Sequence, residues 1–216
     1  MGVFNYKDIY CEMKDLIRHI LREHTTEIGE ARKPKYSNYD VNDESFARTF
    51  FHYIQELPNN QGYSYNRVKK SLDYAIRLWT DKPHKIISKK VAEYFIENYP
   101  KANPFSVRWD HRKKYGVIGG KSLLVLEHTT PVNIFINELL KCESLENVVR
   151  VMNEYTGVCL ITREEDDCLN RSGFMSKRPD GWKVAYATCE IEVMDESEYN
   201  VYKTQKLNSM EDDPTP

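Results

Sequence analysis

Apolar positions recur at helical spacing through the first hundred residues, then give way to short, dense apolar runs. Residues 5–24 place Ile9, Met13, Leu16, Ile17, Ile20 and Leu21 on one face, which predicts an amphipathic helix. Residues 25–42 are polar and aperiodic and read as a loop. A second helix is expected over 44–57, capped by Asn42 or Asp43, with Phe46, Phe50, Tyr53, Ile54 and Leu57 in one stripe. The PNNQG stretch (58–62) reads as a turn before a third helix, 64–80, which carries Val68, Leu72, Ala75, Ile76 and Trp79. A fourth helix, 86–98, turns Ile87, Val91 and either Tyr94 or Phe95 inward and stops at Tyr99-Pro100.

Beyond residue 100 the segments 105–109, 114–118 and 122–127 are short and rich in Val, Ile, Leu and aromatics. Gly119-Gly120 separates the last two, so two or three antiparallel strands are expected. Thr130 as N-cap with Pro131 in the first helical position opens a helix over 131–141. Ser144 caps another helix, carrying Leu145, Val148, Val149 and Met152. Residues 157–161 read as a short buried strand, and Thr162 with Glu165 forms a capping box for a helix reaching Asn170. A basic loop (171–182) leads to a last strand or strand pair over 183–194, and Asp195 begins a polar, acidic tail. The pattern predicts an α+β protein with a helical region 1–100, an α/β region 101–206 and a disordered tail 207–216. The helical half would pack on a small mixed or antiparallel sheet with covering helices.

Composition narrows the classes. With 40% hydrophobic and 12% aromatic residues the chain can bury a core. A net charge of −2 excludes a globally basic nucleic-acid binder but leaves room for local basic patches. No apolar run approaches the ~18–20 residues of a membrane span, and the N-terminus has no signal-peptide core. Tyr6 stands where a myristoylation motif needs Ser or Thr. The five cysteines are widely spaced with no CxxC, which argues against a zinc site or disulfide framework and for a reducing, cytoplasmic setting.

Candidate chemistry concentrates in residues 109–131, WDHRKKYGVIGGKSLLVLEHTTP. Two acid/imidazole pairs, Asp110-His111 and Glu127-His128, are expected to face each other across one hairpin. LEHTTP resembles the opening motif of HNH (ββα-metal) nucleases. The resemblance implies His128 as the general base that activates water, Glu127 as a metal ligand, and Asp166 or Asn170 as a further ligand. The order helix 86–98, strands 105–127, helix 131–141 and strand 157–161 also resembles the core of PD-(D/E)XK nucleases. There Asp110 and Glu127 would bind Mg²⁺, with Glu93 or Glu97 from the preceding helix. That family's lysine position is Thr129 here, so Lys121 or Lys114 would have to supply the cation. Both resemblances imply an Mg²⁺-dependent endonuclease acting on DNA, or on RNA, of the kind found in restriction or phage defence.

Phosphodiester hydrolysis needs oxygen ligands for the ion, a base, and cations beside the phosphate. Arg108, Arg112, Lys113 and Lys114 are the expected nucleic-acid contacts, and the 25–42 stretch is either a solvated connection or an arm that adds Arg32, Lys33, Lys35, Tyr36 and Tyr39. Structural alternatives stand beside each assignment. Glu127-His128 would satisfy exposed backbone at a strand–helix junction, Glu165 would serve its capping box, and Asp110-His111 would belong to a charged hairpin. A non-catalytic nucleic-acid- or protein-binding adaptor is the competing function. The helical half is expected to contact substrate or form a homodimer.

Overall fold

The computed structural model describes residues 43–56, 65–80, 84–155 and 157–211. The expected helix 5–24, the polar stretch 25–42 and the PNNQG turn lie outside them. Two helices open the described chain, α1 (Asp43–Glu56) and α2 (Tyr65–Trp79). Next come β1 (Ile86–Ser88) and α3 (Lys89–Asn98), then 3₁₀ turns over Pro104–Ser106 and Trp109–Tyr115. A small hairpin, β2 (Val117–Ile118) and β3 (Lys121–Ser122), precedes β4 (Leu124–His128). Helices α4 (Val132–Leu139) and α5 (Leu145–Tyr155) lead to β5 (Val158–Thr162) and α6 (Arg163–Arg171). The described chain ends with α7 (Gly181–Thr188), β6 (Val193–Asp195) and α8 (Glu196–Glu211). The protein is α+β.

Four strands form one mixed sheet in the order β4-β5-β1-β6. β4 pairs antiparallel with β5, β5 parallel with β1, and β1 antiparallel with β6. Successive side chains of a strand take opposite faces, and the two cores follow that parity. Leu124, Leu126, Val158, Leu160 and Ile87 pack against α3 and α8, through Val91, Phe95 and Tyr199. Val125, Cys159 and Ile161 pack on the other face against Leu169, Ala185 and Tyr186 from α6 and α7. A third core joins α1, α2, α4 and α5 around Phe50, Leu72, Ile76, Trp79, Phe135 and Leu139. Of the stripes expected on those helices, Phe50, Ile54, Leu72, Ala75, Ile76, Trp79, Val148 and Met152 are buried there, whereas Val149 is exposed. Trp79 meets Phe50 edge-on at 6.5 Å.

Several expected elements need correction. Ile86 and Ile87 are not helical but pair with β5 and β6 inside the sheet, so a strand lies within the region read as helical. The helix begins one residue after Ser88, whose hydroxyl accepts from the Val91 amide at 3.2 Å. Residues 105–109 are not a strand. Asn103 Oδ1 accepts from the Phe105 amide at 2.9 Å and folds Asn103-Pro104 into a 3₁₀ turn. Residues 181–188 form a helix because Trp182, Ala185 and Tyr186 share a face at helical spacing, although Val, Tyr and Thr suggested a strand. The polar stretch after Asp195 is helix α8, which buries Tyr199 and donates from the Tyr202 hydroxyl to Glu93 at 2.8 Å. Residues 207–211 of the expected tail belong to it.

The ends of α6 and β5 follow the sequence closely. Thr162 Oγ accepts from the Glu165 amide while the Glu165 carboxylate accepts from the Thr162 amide at 2.7 Å. That carboxylate also accepts from the Ser88 hydroxyl at 2.8 Å, tying α6 to β1. At the other end of β5, the Gly157 carbonyl accepts from the Thr129 amide at 2.8 Å and from its hydroxyl at 3.1 Å. A Cβ on Gly157 would collide with the Thr129 hydroxyl. Gly157→Ala is therefore expected to cost about 1–3 kcal/mol in urea unfolding, with Thr129→Ala recovering part of it. Wild-type stability in Gly157→Ala would refute this packing.

Candidate functional site

The apolar run of β4 ends on Glu127 and His128, and strand parity sends them to opposite faces. Glu127 follows Val125 toward α6 and α7. Its Oε1 accepts from Arg178, which enters from the loop between those helices. The second arm of the Arg178 fork donates to the carbonyls of His128 at 2.7 Å and Thr129 at 2.5 Å. One guanidinium thus closes the β4–α4 junction, a task its planar fork suits better than a lysine would. Arg178 is buried, lies 5.7 Å from the centre of the Tyr186 ring, and its Nε has no partner among the described residues. Asn133, donating to the Ser176 carbonyl at 3.2 Å, anchors the same loop to α4.

His128 turns to the end of α2. Its Nε2 lies 2.9 Å from Thr80 Oγ, and the Thr80 hydroxyl donates to the Ile76 carbonyl at 2.9 Å. One hydroxyl proton serves one acceptor, so we assign the imidazole as the Nε2–H donor from this network. Burial pulls its pKa down to about 4, helped by the Arg77 charge and opposed by Asp73. The neutral ring is the resting form at neutral pH. Arg77 pairs with Asp73 at 2.9 Å.

Asp166 is on the Glu127 side of the sheet. It pairs with Arg163 at 2.7 Å, and burial raises its pKa against that partner. Burial also raises the pKa of Glu127, Arg178 opposes the shift, and the Asp166 charge adds to it. Arg163 reaches from here to the Ser122 carbonyl at 3.4 Å. Comparison with known protein families, characterised proteins and solved structures finds no match to this chain.

The other expected pair is elsewhere. Asp110 and His111 lie on the exposed 3₁₀ segment, 3.6 Å from each other. The two acid/imidazole pairs therefore do not face one another: one is on the surface and the other is turned inward on two sides of the sheet. Glu93 is engaged by Tyr202, and Lys121 stands at the tip of the β2–β3 hairpin. Among the described residues, no three His, Cys, Asp or Glu side chains converge as a metal cage. Glu127 and Asp166, both expected as metal ligands, lie on the same face of the sheet. Each is held by a guanidinium, so the ion pairs fit this arrangement better than a cation does.

The basic residues gather on one arm, 108–121. Arg112 lies 3.8 Å from the centre of the Trp109 ring, donates to the Trp109 carbonyl at 2.9 Å and reaches the Leu124 carbonyl of β4 at 3.5 Å. Arg77 approaches the same ring at 5.8 Å. Lys113, Lys114 and Lys121 are exposed, and no described carboxylate forms an ion pair with them. The arm is pinned at its base: Tyr94 donates to the Tyr115 carbonyl at 2.6 Å, and Tyr115 packs 5.0 Å from Phe95 and 5.2 Å from Tyr99. Gly116 turns the chain there at φ +125°, where an added Cβ would meet the Tyr94 hydroxyl at 3.0 Å.

Sequence reading overlooked Arg178, Thr80, Arg77 and Arg163 as partners of the strand-end pair. Arg178 sits in a basic loop fifty residues from His128, and nothing local marks it. Parity along β4 did carry the signal that Glu127 and His128 diverge.

Proposed function

We propose that this protein binds nucleic acid through the 108–121 arm, with duplex DNA as the first ligand and RNA as the second. The observation that carries this reading is local charge. Arg108, Arg112, Lys113, Lys114 and Lys121 stand against the single carboxylate Asp110, in a chain whose net charge is −2. Clustered cations that neutralise phosphates supply most sequence-independent affinity, with release of counterions. Trp109, 40% exposed and covered by Arg112, stiffens the arm that displays them. The four described cysteines are free, and no helix among the described residues is long and apolar enough to cross a membrane. Both facts fit a cytoplasmic nucleic-acid binder.

The test is fluorescence anisotropy with a labelled DNA duplex over a range of salt. Lys113→Ala/Lys114→Ala is expected to weaken binding about tenfold and to lower the log–log salt slope by about two. Its unfolding free energy should stay within ~0.5 kcal/mol of wild type, since both side chains are exposed. Unchanged affinity and slope would refute the reading.

A metal-dependent nuclease is the second reading. Its support is placement: Glu127 and Asp166 lie on one face of the sheet with Arg163 and Arg178 beside them to meet a phosphate, and the two ion pairs would have to open to admit the metal. Incubating duplex with Mg²⁺ or Mn²⁺ separates the two. Cutting that disappears in both Glu127→Gln and Asp166→Asn supports the nuclease, whereas binding without turnover supports the adaptor.

A further inference from the structure

The β2–β3 hairpin carries a feature that phosphate binding does not use. Ile118 pairs with Lys121, Val117 pairs with Ser122, and Gly119-Gly120 make the two-residue turn at φ +56° and +77°. Val117 is 53% exposed and Ile118 61% exposed. Adjacent residues of a strand point to opposite sides, so Ile118 shares the open face of Lys121 beside the turn, while Val117 shares the face of buried Ser122 and is exposed at its own end of that face. Ser122 is buried at its base, and the Leu123 amide closes the base on the Gly116 carbonyl at 2.9 Å. The result is a short ribbon on a fixed base. Its tip bears Ile118 next to Lys121, Val117 is exposed one pair nearer the base, and Lys113 and Lys114 lie on the segment leading to it.

We infer that this hairpin is a wedge: on a DNA duplex, Ile118 at the tip enters a base step from the minor groove, Val117 on the other side of the ribbon packs against the groove wall, and Lys113, Lys114 and Lys121 hold the flanking phosphates. The inference rests on the nucleic-acid reading above and narrows its ligand to duplex. Minor-groove proteins unstack a step with one or two apolar side chains carried on a basic element, and the bent duplex then contacts more protein. Two observations favour this over rival ligands. Arg112 lies over one face of the half-exposed Trp109 ring, so a base of a single strand would have to displace that guanidinium to stack there. An anionic membrane needs more apolar reach: a myristoyl chain alone binds only marginally, and Val117 and Ile118 offer about seven side-chain carbons, half that length.

The experiment uses the full chain and a duplex of about 25 base pairs, with 2-aminopurine at a central TA step, where unstacking is easiest. The matching single strand and vesicles of phosphatidylserine and phosphatidylcholine are parallel ligands. Wild type is expected to bind the duplex at least about tenfold tighter than the strand and to brighten the 2-aminopurine. Val117→Ser/Ile118→Ser should lose both the brightening and about tenfold in duplex affinity while keeping the salt slope, because no phosphate contact is removed. Circular dichroism and urea unfolding matching wild type would show that the variant is folded. Equal duplex binding by the variant, absence of brightening with wild type, tighter binding to the single strand, or apolar-dependent binding to the vesicles would each overturn the wedge. If Lys113→Ala/Lys114→Ala weakens duplex binding while the apolar pair is inert, the wedge falls and the basic-arm reading stands. If wild type binds neither duplex nor strand, both fall.

Discussion

Replacing Arg178 with methionine is expected to cost about 3–5 kcal/mol of unfolding free energy, the usual range when one partner of a buried ion pair is removed. Three hydrogen bonds go at once, to Glu127, the His128 carbonyl and the Thr129 carbonyl, and Glu127 is left as a desolvated charge. Glu127→Gln should cost less. Its amide oxygen still accepts from the guanidinium, and burial already works against the Glu127 charge. Adding Glu127→Gln to Arg178→Met should therefore return part of the loss, because the stranded carboxylate is gone. The Arg178→Met penalty should also shrink as the pH is lowered and Glu127 takes a proton. Urea unfolding followed by tryptophan fluorescence reads all four proteins. A loss below ~1 kcal/mol in Arg178→Met, or no recovery in the double variant, would mean that Arg178 does not close the β4–α4 junction.

Stability is expected to fall steeply between pH 6.5 and pH 4. Burial draws His128 and His84 from the ordinary 6.5 to about 4, the nearby Pro104 carbonyl opposing it in part at His84. Above pH 6.5 both rings are neutral whether the chain is folded or not, so they contribute no pH dependence. Below it the unfolded chain takes up protons first, and folding becomes less favourable until the folded rings titrate near pH 4. Each ring is worth up to about 3 kcal/mol, and the pair approaches the whole stability of a typical domain. Glu127 and Asp166, with raised pKa values, act in the opposite direction and offset part of the fall. His84 stacks 5.9 Å from Phe105, and its ring nitrogens make no well-formed hydrogen bond among the described residues beyond the approach of the Pro104 carbonyl. His84→Phe should then be at least as stable as wild type at pH 7.5 and lose roughly half of the acid slope. A flat profile from pH 7.5 to 4.5 in wild type, or an unchanged slope in the variant, would rule this out.

How much of this was legible depends on whether a signal is local. The capping box at Thr162 and Glu165, the Ser144 cap and most of the stripe positions on α1, α2, α4 and α5 lie within a turn or two of chain and are present. Val149, however, faces outward, and Thr130 does not cap α4, which starts at Val132 with Pro131 in the N-cap position and no side-chain cap. Helices α7 and α8 were misread for different reasons. In α7, the β-favouring Val184, Tyr186 and Thr188 mask a helical face whose worth appears only against Cys159 and Ile161 of the sheet. In α8, Tyr199, Tyr202 and Leu207 are sparse among charges, and they pack only because α3 runs alongside. The candidate site divides in the same way. The basic arm was readable as a run of cations, and the structure adds that its lysines are exposed and its base is fixed by Tyr94 and Tyr115.

The α+β class, the helix stripes, the Ser144 and Thr162 caps and the charge of the 108–121 arm were set by residues close together in the chain, because propensity, periodicity and charge are properties of neighbours. Tertiary structure alone decided that Ile86 and Ile87 lie between two distant strands, that Arg178 reaches back to Glu127, and that Thr80 receives His128. Those contacts span about fifty to a hundred residues, and such pairings are fixed by which surfaces exclude water together. For the same reason, an acid and an imidazole adjacent in sequence are separated by the thickness of the sheet they share.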